Sequence, residues 1–137
     1  MALRLLLVCQ PGEARHQYLA AIARCEAEAD AVDSLAAVPA TMVKSPYNGV
    51  LLDLPTRLKA APGDRQNAQA ILEQFPVVQV RVSPGDHRVH ALYAGQIRET
   101  GTLEEFIREE CRSFAARTAR ALARKVIHLN VLLEPAG

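Results

Sequence analysis

The chain has 137 residues, the length of about one domain, and is long enough to bury a sizeable hydrophobic core. Half of the residues are hydrophobic and 23% are charged, as in ordinary soluble globular proteins, and no apolar stretch approaches membrane-spanning length. The net charge of +1, the 4% aromatic content and the absence of Trp exclude a chain-wide surface for nucleic acid or anionic membranes. We therefore expect a cytoplasmic protein whose partners are neither a nucleic acid polymer nor a membrane.

Five segments have the composition of β-strands. Leu3 to Val8 is a continuous apolar run closed by Pro11 and Gly12, which indicates a strand buried on both faces. The strongest internal strand pattern, Val50–Asp53, follows an Asn48-Gly49 turn. In chain order, the predicted strands are Leu3–Val8, Ala29–Val32, Val50–Asp53, Val77–Val82 and Val89–Tyr93.

Helical patterns lie between most of these strands. The clearest has a T-x-x-E capping box at Thr102 and Glu105, followed by one apolar stripe that ends at Phe114. The polar stretch Thr56–Asp64 is interpreted as a loop. The predicted helices are Ala14–Ala29, Leu35–Val43 (with Pro39 as an alternative start), Arg65–Phe75 and Thr102–Phe114.

Strands that alternate with helices predict an α/β fold with a mostly parallel five-stranded sheet. The helix between the last two strands is weak or missing. With Asp53 at the end of the third strand, the order resembles the receiver-type, flavodoxin-like three-layer fold.

That resemblance makes Asp53 a candidate phosphoacceptor. Receivers also need an acid pair after the first strand to hold Mg²⁺, and a lysine after the last strand. The residues after the first strand offer only Glu13, and Tyr93 is followed by Ala-Gly-Gln; Ser83 does match the receiver hydroxyl position. We therefore expect Asp53 to cap the turn that follows it, and we keep a phosphoaccepting response-regulator domain as the alternative.

A catalytic or metal site of another kind has no motif in the sequence. Neither G-x-G-x-x-G nor G-x-x-x-x-G-K occurs, and His16, His87 and His90 are not placed near a recognisable nucleophile. The three cysteines are odd in number and form no C-x-x-C motif, and no histidine lies at ligand spacing from them, which favours buried reduced thiols over a zinc site. We predict no catalytic residue and no metal, with a small α/β enzyme of unknown reaction as a second alternative.

Basic residues are concentrated near the C-terminus. Arg117, Arg120 and Arg124 are three and four residues apart and would share one face if Ala115–Ala123 is helical, as its alanine content favours. A close arginine pair can hold phosphate or the N7/O6 edge of guanine, because each side chain carries a planar fork of donors. A solvated basic stripe on a connecting helix is the other interpretation.

The chain resembles the N-terminal receiver-like module of certain two-part PilZ proteins, which are bacterial receptors for cyclic di-GMP. The segments that carry the resemblance are 48–54, 75–78, 106–107, 111–114, Arg117 and 128–133, together with the R-x-x-x-R pair Arg120 and Arg124. The resemblance implies a receiver-like domain at 1–114, a basic linker at 115–125 and the first strand of a PilZ domain at 126–137.

The same resemblance implies a non-catalytic regulatory module. Its expected partners are a C-terminal PilZ domain, cyclic di-GMP and a downstream signalling protein. Arg120 and Arg124 would contact the phosphates and guanines of the dinucleotide, with Arg117 and Lys125 as supporting basic residues. The second PilZ motif, (D/N)-x-S-x-x-G, is absent from these 137 residues, so the expected site is incomplete.

Overall fold

The computed structural model describes residues 3–82, 89–93 and 103–121, with only the backbone described for 89–93. These residues form an α/β fold in which helices pack on both faces of a sheet. The strands are β1 (Arg4–Val8), β2 (Glu28–Val32), β3 (Gly49–Asp53), β4 (Val77–Val82) and β5 (Val89–Tyr93). The helices are α1 (Glu13–Arg24), α2 (Val38–Met42), α3 (Leu54–Lys59), α4 (Pro62–Leu72) and the helix 103–121.

Four of the strands are parallel, in the order β2-β1-β3-β4. Their register aligns Leu7 with Ala31 on one side and with Leu51 on the other. The backbone of β5 pairs antiparallel with β4 at the edge of the sheet. Only residues 83–88 separate β4 from β5, too short a connection for the crossover that a parallel pair needs.

The apolar run of β1 is divided between two cores because successive side chains point to opposite faces of the sheet. Leu5 and Leu7 pack with α1 and with Phe106 and Ile107 of the helix 103–121. On the opposite face, Leu6 and Val8 pack with Leu35, Val38, Ala68 and Leu72. The strand is therefore buried on both sides, as its composition predicts.

The predicted α/β class and largely parallel sheet are confirmed. The bounds of β4 and β5 match the prediction, and those of β1, β2 and β3 differ by one residue at the first position. The interpretation of Thr56–Asp64 as a loop is wrong, because this stretch contains most of α3 and the beginning of α4. Helix α4 begins at Pro62, since proline is well tolerated in the first turn of a helix.

The helix 103–121 departs from regular α-helical geometry in its middle. Leu103–Glu105 is α-helical, Phe106–Cys111 is π-helical, and residues 112–121 are α-helical again. The helix therefore passes through the boundary expected between 114 and 115, and 115–121 is helical as its alanine content predicts. Thr102 of the predicted capping box and the strand expected after Lys125 lie outside the described residues. None of the helices described is both long and apolar enough to cross a membrane.

Candidate functional site

The carboxyl ends of β1 and β3 meet at one edge of the sheet, where Asp53 is the central polar residue. Its side chain is almost completely buried, with 2% of the residue exposed. One carboxylate oxygen accepts a hydrogen bond from the Tyr18 hydroxyl at 2.5 Å. The other accepts from the Thr56 hydroxyl at 2.7 Å and from the Thr56 backbone N–H at 3.2 Å. Both oxygens of Asp53 are thus engaged by neighbouring residues.

The local sequence explains the contact between Asp53 and Thr56. Asp53 is the N-cap of α3, with extended backbone geometry and Pro55 in the first turn of the helix. An N-cap carboxylate accepts a backbone N–H that has no partner within the helix, which is the bond from Thr56. The expectation that Asp53 caps the following turn is confirmed.

Thr56 extends the network to the chain that leaves β1. Its hydroxyl donates to Asp53 and accepts the backbone N–H of Gln10 at 3.0 Å. The Gln10 side-chain oxygen in turn accepts from the Lys59 ammonium at 3.3 Å. Gln10, which follows β1, is therefore joined by hydrogen bonds to both ends of α3.

Arg15 of α1 occupies the region after β1 where a receiver would need acidic side chains. Its guanidinium donates to the backbone carbonyl of Cys9, at 3.0 Å from Nε, and also reaches that oxygen through a terminal nitrogen. The same terminal nitrogen forms an ion pair with Asp33 at 2.6 Å. A cation thus lies beside the end of β1, and the nearby Glu13 does not complete an acid pair.

Burial keeps the Tyr18 hydroxyl and the Cys9 thiol in their neutral forms. Desolvation raises the pKa of the Tyr18 hydroxyl well above its usual range, and its hydrogen bond to Asp53 adds to the effect. Burial, and secondarily the Asp53 charge, raises the pKa of the Cys9 thiol to about 11. Tyr18 therefore acts as a hydrogen-bond donor to Asp53, and Cys9 is a protonated thiol rather than a nucleophilic thiolate.

These residues do not fit a magnesium ion. Mg²⁺ requires accessible carboxylate oxygens and retains several waters, whereas Asp53 is closed off and Arg15 brings positive charge to the neighbouring loop. In the described part of the chain, no three His, Cys, Asp or Glu side chains come together as a metal site. We call Asp53 and its hydrogen-bonded neighbours Tyr18, Thr56 and Gln10 the latch, because together they join β3, α1, α3 and the residues after β1.

The arginine candidates lie elsewhere, on the helix 103–121. Arg117 and Arg120 are both exposed, and the Arg120 Nε donates to the Ala116 carbonyl at 3.4 Å. Arg124 and Lys125 lie outside the described residues, as do Ser83 and His87. His16 is exposed on α1, and only the backbone of His90 is described. The structure thus brings Arg117 and Arg120 onto one helix and gives no relation between Arg120 and Arg124.

A cavity of about 340 Å³ lies beside α4. Leu35, Leu52 and Leu72 line its apolar part, and Arg57 and Arg65 line its polar part. Arg65 is already bonded to the carbonyl oxygens of Leu58 and Ala60. Glu73 is its acidic lining residue, and no histidine is among the residues that line it.

Three residues in this region were not identified from the sequence: Tyr18 and Thr56 of the latch, and Arg15 beside it. Thr56 had a local signal, since Asp53-Leu54-Pro55-Thr56 has the cap residue and early proline of a helix start. Tyr18 and Arg15 had none, because their contacts with Asp53 and Asp33 join residues distant in sequence.

Comparisons with protein-family models, with curated proteins and with solved structures each found no match.

Proposed function

We propose that this chain is a non-catalytic, receiver-like regulatory module of a bacterial cyclic di-GMP signalling protein. It acts in the cytoplasm and positions or modulates a C-terminal PilZ domain. The proposal that the module is non-catalytic is supported by the closure of Asp53 by Tyr18 and Thr56. The proposal that it belongs to a cyclic di-GMP signalling protein is supported by the resemblance of the sequence to two-part PilZ proteins.

The latch argues against phosphoryl transfer at Asp53. An attacking carboxylate oxygen must be in line with the leaving group, and the charge of the transferring phosphoryl must be neutralised. At Asp53 the oxygens already accept three hydrogen bonds, and only 2% of the residue is exposed. A receiver-like domain with this site keeps the shape of a signalling module and loses its covalent switch.

Phosphorylation is therefore expected to fail. The protein should be incubated with Mg²⁺ and acetyl phosphate, and its intact mass should be measured before and after acid treatment. We expect no stoichiometric increase in mass, because the Asp53 carboxylate has no open approach and its oxygens are already held by Tyr18 and Thr56.

Asp53→Asn is the control for this experiment, with its fold checked by circular dichroism. A stoichiometric adduct on the wild-type protein that is absent from Asp53→Asn would establish a phosphoaccepting response-regulator domain instead.

The helix 103–121 supports the proposed link to a second domain. Its first part is packed in the core through Phe106, Ile107 and Cys111, while residues 116–121 are exposed. Arg117 and Arg120 therefore lie on a helical extension of the α/β domain, close in sequence to Arg124. A helix that leads into the arginine pair would let a ligand bound there change the orientation of the α/β domain relative to the barrel.

Cyclic di-GMP binding is expected to need more than these 137 residues. The chain alone should bind weakly or not at all, because the second PilZ motif, and with it the barrel side of the expected site, is absent from these residues. A longer protein containing the PilZ barrel should bind. Arg120→Ala and Arg124→Ala should each weaken that binding by about 1.5–3 kcal/mol, the usual range for a lost hydrogen bond to a charged group.

Titration calorimetry on the longer protein measures this effect. Arg112→Ala is the matched control, because Arg112 is exposed on the same helix but does not belong to the R-x-x-x-R pair. Lysine replacements of Arg120 and Arg124 should rescue only partly, since an ammonium lacks the bidentate fork. Unchanged affinity in the double alanine variant would mean that the arginines form only a solvated basic linker.

A further inference from the structure

A broad groove lies between the end of α4 and the helix 103–121. Its volume is about 770 Å³, and Phe75, Pro76, Glu110, Ser113, Phe114 and Arg117 are among its lining residues. The rings of Phe75 and Phe114 pack at a tilt of 51°, with centroids 5.5 Å apart, and both residues remain partly exposed. The groove thus has an apolar centre that the described chain does not cover completely.

Charge is distributed unevenly along the helical wall of this groove. Glu109 and Glu110 lie on one side of Ser113 and Phe114, and Arg117 lies on the other. All three charged side chains are exposed, and none forms an ion pair within residues 3–82 and 103–121. Earlier on the same helix, by contrast, Arg108 pairs with Glu104 at 2.8 Å.

This pattern is complementary to itself under a two-fold rotation. Glu110 and Arg117 are seven residues apart, or two helical turns, so they lie on one side of the helix and about 10 Å apart along its axis. The midpoint between them falls between Ser113 and Phe114. A second copy of the helix placed antiparallel about that midpoint brings its Arg117 beside Glu110 and its Glu110 beside Arg117.

We propose that this groove is the interface of a homodimer in which the helices 103–121 of two copies pack antiparallel, with Phe114 near the two-fold axis. One patch then supplies both halves of the contact, as an isologous interface requires. Each Glu110 pairs with Arg117 of the second copy, and the partly exposed faces of Phe75 and Phe114 are removed from water. The antiparallel arrangement also opposes the two helix dipoles favourably.

A second copy of this chain fits better than an unrelated acidic or basic peptide. A strongly acidic ligand would be repelled by Glu109 and Glu110, and a strongly basic ligand by Arg117. A surface that carries both signs on either side of an apolar centre favours a partner with the same pattern reversed, which is what the rotated copy presents.

Sedimentation equilibrium of the 137-residue chain, without nucleotide, tests the proposal through a charge-reversal cycle. We expect the wild-type protein to dimerise in a concentration-dependent way. Arg117→Glu and Glu110→Arg each convert both symmetric pairs from attraction to repulsion, so each should raise the dimer Kd by roughly tenfold. The double variant Glu110→Arg/Arg117→Glu restores opposite charges and should return the Kd to near the wild-type value.

Arg112→Glu is the matched control, because it makes the same change of charge on the same helix at an exposed residue that does not line the groove. It should leave the Kd unchanged, and circular dichroism should show the same fold for all variants. A monomeric wild-type protein would overturn the proposal. So would single reversals that act no differently from Arg112→Glu, or a double variant as weak as the single ones. The test reports on association alone, so its outcome is independent of phosphorylation and of cyclic di-GMP binding.

Discussion

Asp53→Ala is expected to lower the free energy of unfolding by about 3 kcal/mol. The substitution removes the cap of α3, worth about 1 kcal/mol. It also leaves the buried hydroxyls of Tyr18 and Thr56 without their acceptor, and an unsatisfied buried group costs about 1–3 kcal/mol. Urea unfolding followed by far-UV circular dichroism measures the change.

Asp33→Ala is the matched control for this prediction. Asp33 also follows a strand at the carboxyl edge of the sheet and accepts from an arginine, but 70% of its side chain is exposed. An exposed ion pair contributes at most about 1 kcal/mol, so this variant should be close to the wild-type stability. Wild-type stability in Asp53→Ala would mean that the carboxylate is not held by the latch, and would favour a phosphoacceptor role.

A double-variant cycle separates the latch from general packing. Tyr18→Phe removes only the hydroxyl that donates to Asp53. Once Asp53 is alanine this hydroxyl has lost its acceptor, so removing it should cost less than in the wild-type protein. The two effects should therefore not be additive.

Much of the sheet was predictable because its strands are local apolar runs. Leu5 to Val8 and Val50 to Leu52 are buried on both faces. A strand buried on both faces is a continuous apolar run, and this run is visible in the sequence whatever elements pack against the strand. The parallel arrangement then follows from the helices between the strands. The antiparallel β5 follows from the short connection 83–88, although the sequence indicated only that a helix was missing there.

The missed helix and the π-helical stretch have different causes. Helix α3 buries little besides Thr56, so it has no apolar stripe and depends on the Asp53 cap and on Pro55 in its first turn. Phe106–Cys111 does have an apolar stripe, and an ordinary α-helix fits it equally well. The choice of π geometry depends on the packing of these residues against the sheet, which periodicity does not reveal.

The candidate site was predictable only where it is local. The capping role of Asp53 follows from its place between a strand and a helix start. Its closure depends on Tyr18, which reaches it from α1 across the packed face of the sheet. Whether such an aspartate is open or closed is a tertiary property, which the local sequence does not reveal.

The helix 103–121 packs against β3 at Gly49, where Cys111 of the helix comes very close to the β3 backbone. A Cβ at this position would clash with the Cys111 sulfur and would lie 3.3 Å from a Leu5 methyl carbon. Gly49 is the first residue of β3, and Cys111 is the last π-helical residue. The helix that carries Arg117 and Arg120 is therefore held close to β3 because β3 begins with a residue that has no side chain.

Gly49→Ala is accordingly expected to destabilise the protein by about 3 kcal/mol, the upper end for overpacking, because the sulfur it meets is fully buried. Cys111→Ala should cost about 1 kcal/mol for the small cavity it leaves. In the double variant the new methyl group takes the space of the sulfur, so stability should recover above that of Gly49→Ala.

Gly63→Ala is the control, since a Cβ there meets no atom within 4 Å, and it should be neutral or slightly stabilising. Urea unfolding of the four variants checks the series, and a neutral Gly49→Ala would show that the helix is not seated through this contact.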